Sequence, residues 1–308
     1  MKYTLRQLEV FVAVGRCESV SRATTTLALS QSATSTALGE LERQFNGQLF
    51  DRVGKTLRLN DLGQQLLPKA VELLDRAREI EALLEGKTGF GALRIGATLT
   101  IGNYLATLIA ATFLQRHPEC RLDLQVHNTT AIIHQVAHHA LDLGLIEGEC
   151  HHPDIEVHAW VEDELVVFCA PHYPLAQQRI ATLAELSAHP WILREHGSGT
   201  RATFDHAMRH HPLPLDIRLE LEHTEAIKRT VEFGLGIGCI SRLALREAFR
   251  RGSLVPIETP DLDFRREFRF LWHKQKYQSA AMREFLALCR AMTAGAKRSD
   301  EIPLPNTP

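Results

Sequence analysis

Residues 19–41 have the sequence SVSRATTTLALSQSATSTALGEL, which contains two short amphipathic runs, each with a serine in front of it. Ser19 and Ser30 are favourable helix caps, and apolar residues recur every three or four positions after each of them. This spacing predicts one helix that ends near residue 27 and a second that begins at residue 30. Two short helices joined by so tight a turn are typical of a helix-turn-helix.

The second of these helices begins with small polar residues. Its apolar face is expected to comprise Ala33, Ala37, Leu38 and Leu41. The polar residues then face solvent, where glutamine can pair with the edge of adenine and hydroxyls can reach bases or phosphates in the major groove. A solvated helical hairpin is the alternative that this stretch leaves open. The predicted DNA contacts are Ser30, Gln31, Ser32, Thr34 and Ser35.

A basic turn follows the two helices. Between residues 43 and 58 only Asp51 opposes four cations, and residues 52–55 have the composition of a turn between apolar ends. This pattern predicts a two-stranded wing. Arg52 and Lys55 are its predicted phosphate contacts, which would position the protein on DNA without reading the base sequence.

From residue 61 the pattern changes to that of one long helix, whose apolar residues recur at alternating intervals of four and three. Such spacing is the a/d seam of a coiled coil and predicts a partner helix. A dimer would present two recognition helices to half-sites about one helical turn apart. Packing of the helix on its own domain is the alternative. The predicted dimer contacts are Leu66, Ala70, Leu73, Ala77, Ile80 and Leu84.

A glycine-rich break at residues 86–91 ends the helical third of the chain. Strand and helix patterns then alternate, from a strand at residues 93–97 to a helix that ends at residue 292. Such alternation is typical of βαβ units and predicts parallel sheets in two lobes. The expected fold class is α plus α/β, with an N-terminal winged helix-turn-helix, a long linker helix and a C-terminal module of two α/β lobes.

The predicted boundaries follow from these changes in pattern. They are residues 1–60 for the DNA-binding domain, 61–88 for the linker and dimerisation helix, 89–162 with 268–293 for the first α/β lobe, and 163–267 for the second. Residues 294–308 are polar and contain proline, so we expect a disordered tail.

The composition limits the function classes. The 308 residues include 35 Lys and Arg against 37 Asp and Glu, so a net charge of -2 gives no overall basic field and any DNA-binding surface must be local. Six cysteines without a C-x-x-C pair favour reduced, buried thiols. The first residues lack the apolar core of a signal peptide, and polar residues interrupt the uncharged stretch at 95–115. We therefore expect a cytoplasmic protein without a membrane span.

Several motifs together resemble the N-terminal signature of the LysR-type transcriptional regulators. They are LRQLEVF at residues 5–11, SVSRA at 19–23, SQSA at 30–33, LE at 41–42 and LFDR at 49–52, with a glycine at residue 63. Later blocks, such as residues 101–104 and 146–148, resemble the YeiE-like branch of that family, whose members include regulators of sulfur and carbon assimilation. Asn60 stands where most of the family has threonine, a change that this branch tolerates.

The resemblance extends to about residue 292 and carries functional expectations. It implies a regulator that binds double-stranded operator DNA as a homodimer, with a homotetramer of two dimers as the alternative assembly that the sequence leaves open. It also implies a periplasmic-binding-protein-like module that binds a small-molecule effector. RNA polymerase is a further implied partner if the protein is an activator.

Three predicted strands end in polar residues, at the edge where ligands bind in open parallel sheets. Two of these ends are also helix starts, one in each lobe, whose free N–H groups and dipoles favour an anion. Simple helix capping is the alternative for each Ser or Thr. The predicted effector contacts, which the family resemblance supports, are Thr98, Leu99, Thr100, Glu147, Glu195, Ser198, Gly199 and Thr200.

Glu147 complicates an anion site, because a carboxylate repels a bound anion unless one of the two carries a proton. A protonated oxyanion such as bisulfite, or a protonated Glu147, would remove this repulsion. The expected effector is therefore a small inorganic oxyanion such as sulfite. An amino acid or another ligand with a donor group is the competing choice.

Other motifs favour different chemistry only weakly. His134 and His138 lie four residues apart on a predicted helix, near CHH at residues 150–152, but no acid or second set of ligands accompanies them. GLGIG at residues 234–238 lacks the last glycine of a dinucleotide-binding motif, and GSG at 197–199 is not a nucleophile motif. We predict no catalytic residue, metal or cofactor.

The alternative functions are an α/β enzyme and a solute-binding protein, each with an N-terminal helical extension. A solute-binding protein should carry an export signal and no helix-turn-helix, which is the reverse of the pattern here. An enzyme should place an acid, a base, a metal or a cofactor motif in the cleft, where the sequence offers only Glu147 and Glu195.

Overall fold

The structure is a computed structural model that describes residues 2–53, 56–85, 90–209 and 215–303. The N-terminal part, which we call the head, consists of helices α1 (Leu5–Cys17), α2 (Val20–Leu27) and α3 (Gln31–Gln44) and of antiparallel strands β1 (Phe50–Val53) and β2 (Thr56–Leu59). Buried apolar side chains of α1 and α3 share one core with Phe50 of β1. The predicted winged helix-turn-helix is therefore confirmed.

Serine hydroxyls fix the starts of α2 and α3, as the sequence predicts. Ser19 Oγ accepts a hydrogen bond from the backbone N–H of Arg22 at 3.4 Å, and Ser30 Oγ accepts one from Ala33 at 3.2 Å. Each bond satisfies a donor that the helix itself leaves unpaired. The turn between the two helices is confined to residues 28–30.

The long helix α4 (Asp61–Leu84) is joined closely to the wing. Asn60 Oδ1 caps it by accepting from the N–H of Gly63 at 2.9 Å, so asparagine takes the capping role at this position. A side chain at Gly63 would meet the carbonyl oxygen of Leu49 at 2.2 Å, a distance that only glycine avoids. The start of α4 is therefore packed directly against the residue that precedes β1 of the wing.

The predicted seam of α4 divides into two halves. Leu66, Ala70 and Leu73 pack against the core of the head. Ala77 is half-buried, and the remaining two seam residues, Ile80 and Leu84, are exposed, with Leu84 at 84%. The first half of the helix thus packs on its own domain, and the second half is open in the single chain.

The first lobe begins after the glycine-rich break, of which residues 86–89 lie outside the described part of the chain. Its elements are β3 (Ala92–Ala97), α5 (Leu99–Ile101), a π-helical turn (Gly102–Ala106), α6 (Thr107–Arg116), β4 (Arg121–Val126), α7 (Thr129–Ala137) and β5 (Leu143–Glu147). Strand β3 pairs in parallel with both β4 and β5. The alternation of strands and helices in this region is confirmed.

The chain reaches the second lobe through β6 (Ile155–Cys169). The lobe contains a 3-10 turn (Pro174–Gln177), α8 (Leu183–Ser187), β7 (Trp191–Arg194), α9 (Gly199–Met208), β8 (Ile217–Leu221), α10 (Thr224–Glu232), β9 (Ile237–Ser241), α11 (Arg242–Arg251) and β10 (Val255–Ile257). Strand β7 pairs in parallel with β8 and β9. The chain then returns to the first lobe through β11 (Arg265–His273) and α12 (Ala280–Met292).

Strands β6 and β11 form an antiparallel pair that joins the lobes, and we call this pair the hinge. It runs from Ile155 opposite His273 to Glu164 opposite Arg265. Strand β11 also pairs with β5 of the first lobe, whereas the end of β6 pairs with β9 and β10 of the second. The sequence predicts only residues 165–169 as a strand, because charged residues interrupt the apolar pattern before them. The sheet is therefore mixed rather than purely parallel.

The end of the chain differs from the expected disordered tail. Residues 299–301 form a 3-10 turn, and Ile302 is 3% exposed within the core of the first lobe. Arg246 Nη1 donates to the carbonyl oxygen of Ile302 at 2.8 Å. The polar composition concealed one apolar residue that fills a core, so the expectation of disorder is wrong for residues 294–303. Residues 304–308 lie outside the described residues.

The cysteine side chains lie in or beside the apolar cores, as the sequence predicts. All six cysteines are free thiols, five of them buried and Cys17 half-buried. Burial raises the pKa of the Cys169 thiol to about 11, so this thiol is a poor nucleophile. None of the helices in the described ranges is both long and apolar enough to cross a membrane.

Candidate functional site

The exposed start of α3 is the candidate for reading DNA. Gln31, Ser32 and Ser35 are exposed, as the sequence predicts, and Ser30 is exposed while it caps the helix. Thr34 contradicts the prediction because it is fully buried, with its hydroxyl donating to the carbonyl of Ser30 at 3.1 Å. Helix α3 buries Thr34 together with Leu38 and Leu41, so its inner face is turned by one residue from the expected one and Ala33 is exposed instead.

The wing forms as predicted, but its two predicted phosphate contacts are described unequally. Strands β1 and β2 pair from Phe50 opposite Leu59 to Val53 opposite Thr56. Arg52 lies on β1, where only its backbone is described, and Lys55 lies outside the described residues. Arg58 on β2 is exposed and adds a cation to the same hairpin.

The predicted effector residues meet around Glu147, the last residue of β5. Its carboxylate is 1% exposed and accepts hydrogen bonds from three threonine hydroxyls. Thr98 donates to Oε2, while Thr100 and Thr200 donate to Oε1 at 3.3 and 3.4 Å. The first two threonines belong to the first lobe and Thr200 to α9 of the second. One buried carboxylate therefore holds the hydroxyls of both lobes together.

A cation that the sequence did not predict completes this cluster. Arg266 on β11 donates from Nη1 to Thr200 Oγ1 at 3.1 Å, and the same nitrogen is 3.9 Å from Glu147 Oε1. Its Nε donates to Asp163 Oδ2 on the facing strand at 2.7 Å. The pairing of β6 with β11 sets Arg266 opposite Asp163, a register that joins residues about one hundred positions apart. No local motif could have indicated it.

Two residues at helix starts do not cap their helices with their side chains. Thr98 precedes α5 and Ser198 precedes α9, yet neither side chain accepts from its helix. The Thr98 hydroxyl donates to Glu147 instead, and the buried Ser198 hydroxyl has no hydrogen-bond partner among the described residues. Simple capping, the alternative for these two positions, therefore does not apply.

Close approach of the lobes depends on Gly199. A side chain at this position would meet the carbonyl oxygen of Glu147 at 2.3 Å. The N–H of Gly199 donates across the cleft to Thr129 Oγ1 at 2.9 Å, and the N–H of Thr130 donates to the carbonyl of Gly197 at 3.2 Å. These contacts show the lobes closed over the Glu147 cluster.

The structure separates two predicted residues from the rest. Glu195 is held by its neighbour Arg194 at 2.8 and 3.0 Å and by Asn128 at 3.4 Å. It lines a cavity of about 380 Å³ together with Leu99. Neither residue contacts the Glu147 carboxylate in the described contacts. The predicted residues that do are Thr98, Thr100 and Thr200, while Gly199 packs against the Glu147 backbone and the neighbouring Ser198 hydroxyl has no partner among the described residues.

A second cavity of about 580 Å³ lies between the lobes beside Ser198 and Gly199. Five arginines line it: Arg201, Arg209, Arg265, Arg266 and Arg269. Several of these cations are already paired, as Arg201 is with Asp205 and Glu220. Among the described residues, Arg266 Nη2 and Arg269 Nε are buried without a hydrogen-bond partner, like the hydroxyl of Ser198. Three residues that line the cavity therefore each have a buried donor without an acceptor.

A further charged cluster joins α4 to the first lobe, and no sequence pattern indicated it. Lys276 Nζ contacts Asp75 of α4 at 2.5 Å and Asp142 at 2.8 Å, and Arg94 Nη2 contacts Asp142 at 2.6 Å. Burial alone would raise the pKa of Asp142, but Lys276 and Arg94 hold it well below its ordinary range. We call these four residues the linker clamp.

The histidine pair that the sequence offered for a metal does not bring further ligands together. The rings of His134 and His138 stack with centroids 4.1 Å apart. Across the described ranges, no group of three or more His, Cys, Asp or Glu is placed to hold a metal ion. The pair instead lies in a cleft between the head and the first lobe.

Comparison with known proteins places this arrangement in a family. Residues 5–64 match the family model "Bacterial regulatory helix-turn-helix protein, lysR family", and residues 87–294 match "LysR substrate binding domain". The chain is 44% identical over 292 residues to the HTH-type transcriptional regulator YeiE of Escherichia coli strain K12, covering 94% of this chain and 98% of that protein.

Two solved structures are similar as well. The regulatory domain of CcmR from Synechocystis PCC6803, solved in complex with 2-PG, is 26% identical with a TM-score of 0.62, covering 67% of this chain and 99% of that one. A full-length variant of OxyR from Pseudomonas aeruginosa is 18% identical with a TM-score of 0.71 over the whole of both chains, which supports the fold. The chain therefore belongs to the LysR family of transcriptional regulators and is not an enzyme.

Proposed function

We propose that this regulator senses a small oxyanion, of the class of sulfite, in the cleft between its lobes. The observation that carries the proposal is the Glu147 carboxylate, which accepts from hydroxyls of both lobes. An oxyanion accepts hydrogen bonds as this carboxylate does. It can therefore accept those of the threonine hydroxyls when the Glu147 side chain rotates away. The complex of the CcmR regulatory domain with 2-PG supports a small-molecule ligand for the corresponding part of this chain.

The free donors beside the cluster supply the rest of the site. Ser198 Oγ and Arg266 Nη2 are both buried without partners among the described residues, and both residues line the adjacent cavity. A ligand that reaches them gains hydrogen bonds that the unliganded protein leaves unmade, which favours binding. Glu147 remains close to the ligand and disfavours fully ionised anions, whereas a protonated oxyanion can donate a hydrogen bond to it.

We propose that DNA is read by α3 and held by the wing. Gln31, Ser32 and Ser35 would contact base edges, while Arg52 and Lys55 would contact phosphates. Ser30 caps the helix whose N-terminus approaches the backbone of DNA. Replacing Gln31 by Ala should relax the preference among operator variants, whereas Lys55→Ala should weaken binding to every sequence and lower the salt slope by about one unit. Gel-shift titrations at several salt concentrations separate the two outcomes.

The assembly that we propose is a dimer, doubled to a tetramer, that acts on operator DNA in the cytoplasm. The open half of α4 supports it, because Ile80 and Leu84 are exposed apolar residues at seam positions. The domain division expected from the sequence fits this picture, with the head at residues 1–60, the linker at 61–88 and the two lobes after it. An activator of this design would also contact RNA polymerase.

The effector acts on DNA through the position of the lobes. A ligand shifts a conformational equilibrium only by its different affinity for the two states. An oxyanion that replaces Glu147 removes the carboxylate that joins the two lobes, and so changes the free energy of the closed state. The resulting movement would alter the angle between paired heads.

Titration calorimetry of the full chain with sulfite tests the effector site. Thr200→Val keeps the size of the side chain and removes one hydroxyl, so it should weaken sulfite binding about tenfold or more. Thr230→Val on α10 is the matched control, because the Thr230 hydroxyl donates only to the carbonyl of Ala226 outside the cleft. Equal affinities for the two variants and the wild type would place the ligand elsewhere.

A further inference from the structure

The last described residues of the chain lie against the hinge rather than in solvent. The backbone of Arg298 forms an isolated parallel β-bridge with Glu162 of β6, and Arg298 Nη1 donates to Glu164 at 3.3 Å. Ile302 enters the core of the first lobe, while its carbonyl accepts from Arg246 of α11 in the second lobe. Residues 298–302, which we call the C-terminal segment, therefore contact both lobes and the strand between them.

Asp163 is the point at which the C-terminal segment meets the interior. Its carboxylate is buried on β6, and Oδ2 accepts from Arg266 Nε at 2.7 Å. Oδ1 accepts from Ser241 at the end of β9 at 2.7 Å and from Ser299 of the C-terminal segment. A buried carboxylate is stable only when donors surround it, so Ser299 supplies one of the bonds on which the Asp163 position depends.

The same carboxylate orients the cation of the candidate effector site. Arg266 is held through Nε by Asp163 and turns Nη1 toward Thr200 and Glu147. Its Nη2 is the buried donor that has no partner among the described residues, and the residue lines the interlobe cavity. A continuous series of contacts therefore leads from Ser299 through Asp163 and Arg266 to the site.

We propose that the C-terminal segment is a latch on the hinge, and that Ser299 is a positioning residue that holds Arg266 in place through Asp163. This inference rests on the proposed effector site for its effect on ligand affinity, but its effect on the closure of the lobes is independent of any ligand. Loss of the Ser299 hydroxyl lets the Asp163 and Arg266 pair shift, so the closed arrangement becomes less populated. The ligand site then loses a preorganised donor.

Hydrogen exchange of the full chain measures closure without a ligand. The amides of Thr130 and Gly199 donate across the cleft, so their exchange reports how often the lobes separate. Ser299→Ala should accelerate exchange at both amides about tenfold, while amides inside α12 keep the wild-type rate. Ser253→Ala is the matched control, because the Ser253 hydroxyl also donates to a carboxylate, that of Glu232 at 2.7 Å, in the second lobe away from the hinge.

Sulfite titrations of the same proteins provide the second readout. Ser299→Ala should weaken sulfite binding about fivefold or more, and Ser299→Thr, which keeps the hydroxyl, should restore both the exchange rate and the affinity. A merely structural role would lower stability without changing the affinity of the folded protein. If Ser299→Ala does not fold, Arg298→Ala loosens the same segment from Glu164 and should accelerate the same amides.

The outcomes separate this inference from the proposed function. Wild-type exchange rates at Thr130 and Gly199 in folded Ser299→Ala would overturn the latch, whatever the ligand. A wild-type chain that binds no sulfite would overturn the oxyanion proposal, while accelerated exchange in Ser299→Ala would still support the latch. Accelerated exchange in Ser253→Ala as well would mean that the response is not specific to the C-terminal segment, and would also overturn it.

Discussion

Asp142 immediately precedes β5 and Glu147 is its last residue, and both carboxylates are buried, yet they are held differently. Asp142 lies between two cations, with Arg94 Nη2 at 2.6 Å and Lys276 Nζ at 2.8 Å. Glu147 accepts from the hydroxyls of three threonines, and the nearest cation, Arg266, is 3.9 Å away. Two close cations fix a carboxylate, whereas neutral hydroxyls can exchange it for another acceptor.

Asp142 and Glu147 thus contribute to different properties: Asp142 to the stability of the fold and Glu147 to the binding of a ligand. Five residues of extended chain span about 17 Å, so the two sites are distinct but rigidly connected. Asp142 and the rest of the linker clamp attach α4 to the first lobe. Glu147 closes the cleft and is the group that an oxyanion would replace. Substitutions at Asp142 should therefore mainly lower the free energy of unfolding, whereas substitutions at Glu147 should mainly change ligand affinity.

The largest difference is expected from removing one carboxylate charge at each end. Asp142→Asn takes from Arg94 its close carboxylate, while Lys276 keeps Asp75 at 2.5 Å, and it should lower the free energy of unfolding by about 3 to 5 kcal/mol because the Arg94 charge is left uncompensated. Glu147→Gln keeps one carbonyl oxygen as an acceptor and turns the other position into an amide NH2 group, which can donate to a threonine hydroxyl that turns to accept, so it should cost only about 1 kcal/mol. Urea unfolding of the full chain at pH 7, followed by circular dichroism, compares them. Equal costs would mean that the two carboxylates are held alike.

The pH dependence of the free energy of unfolding should arise from His139, a buried residue close to the cations of the linker clamp. Burial first, and then His273, Arg16, Lys276 and Arg94, lower the pKa of His139 from 6.5 to about 3. The unfolded chain therefore binds a proton below pH 6.5 that the folded protein does not bind until about pH 3. As the pH is lowered through this window, the free energy of unfolding should decrease by about 1.4 kcal/mol per pH unit, or by about 2 kcal/mol from about pH 6.5 to about pH 5.

His139→Asn tests this assignment. Asparagine tolerates the left-handed backbone at this position, where φ is 55°, so the substitution removes the titrating group with little backbone strain. Urea unfolding at pH 7 and pH 5 should show a smaller loss of stability in this variant than in the wild type. The exposed His151 provides the control, and His151→Asn should keep the wild-type pH dependence. An unchanged pH dependence in His139→Asn would assign the loss to other groups.

A smaller effect is expected where the linker clamp retains part of its charge. Asp75→Asn removes one partner of Lys276, but Asp142 stays within 2.8 Å of that amine, so the cost should be about 1 kcal/mol. Sulfite affinity should remain that of the wild type, since Asp75 is on α4 and not in the cleft. A large fall in sulfite affinity in folded Asp75→Asn would show that the two ends of β5 are not separable.

The sequence predicted part of the Glu147 cluster and none of the linker clamp. Thr98, Thr100, Glu147 and Thr200 could be predicted because strand ends and helix starts are visible as local patterns. Arg266, Asp163 and the linker clamp could not, since pairing of β6 with β11 and packing of α4 bring them together from distant parts of the chain. Long-range pairing of strands leaves no periodic signal in the residues that it joins.

Two local errors have equally simple causes. The prediction for Thr34 was wrong because successive residues of a helix are separated by about 100°, so a shift of one position moves a side chain from solvent to the core. The prediction of a disordered tail was wrong because Ile302 and Ser299 find partners in a core and a hinge that composition does not show.

Anion selectivity of the full chain, measured by calorimetry, tests whether Glu147 is the group that the effector replaces. Wild-type protein should bind sulfite, which can carry a proton, more tightly than sulfate, which the Glu147 carboxylate repels. Glu147→Gln removes that charge at nearly constant shape, so sulfate affinity should rise about tenfold or more and sulfite affinity should change less. Sulfate and sulfite affinities that stay at wild-type values in Glu147→Gln would contradict the account.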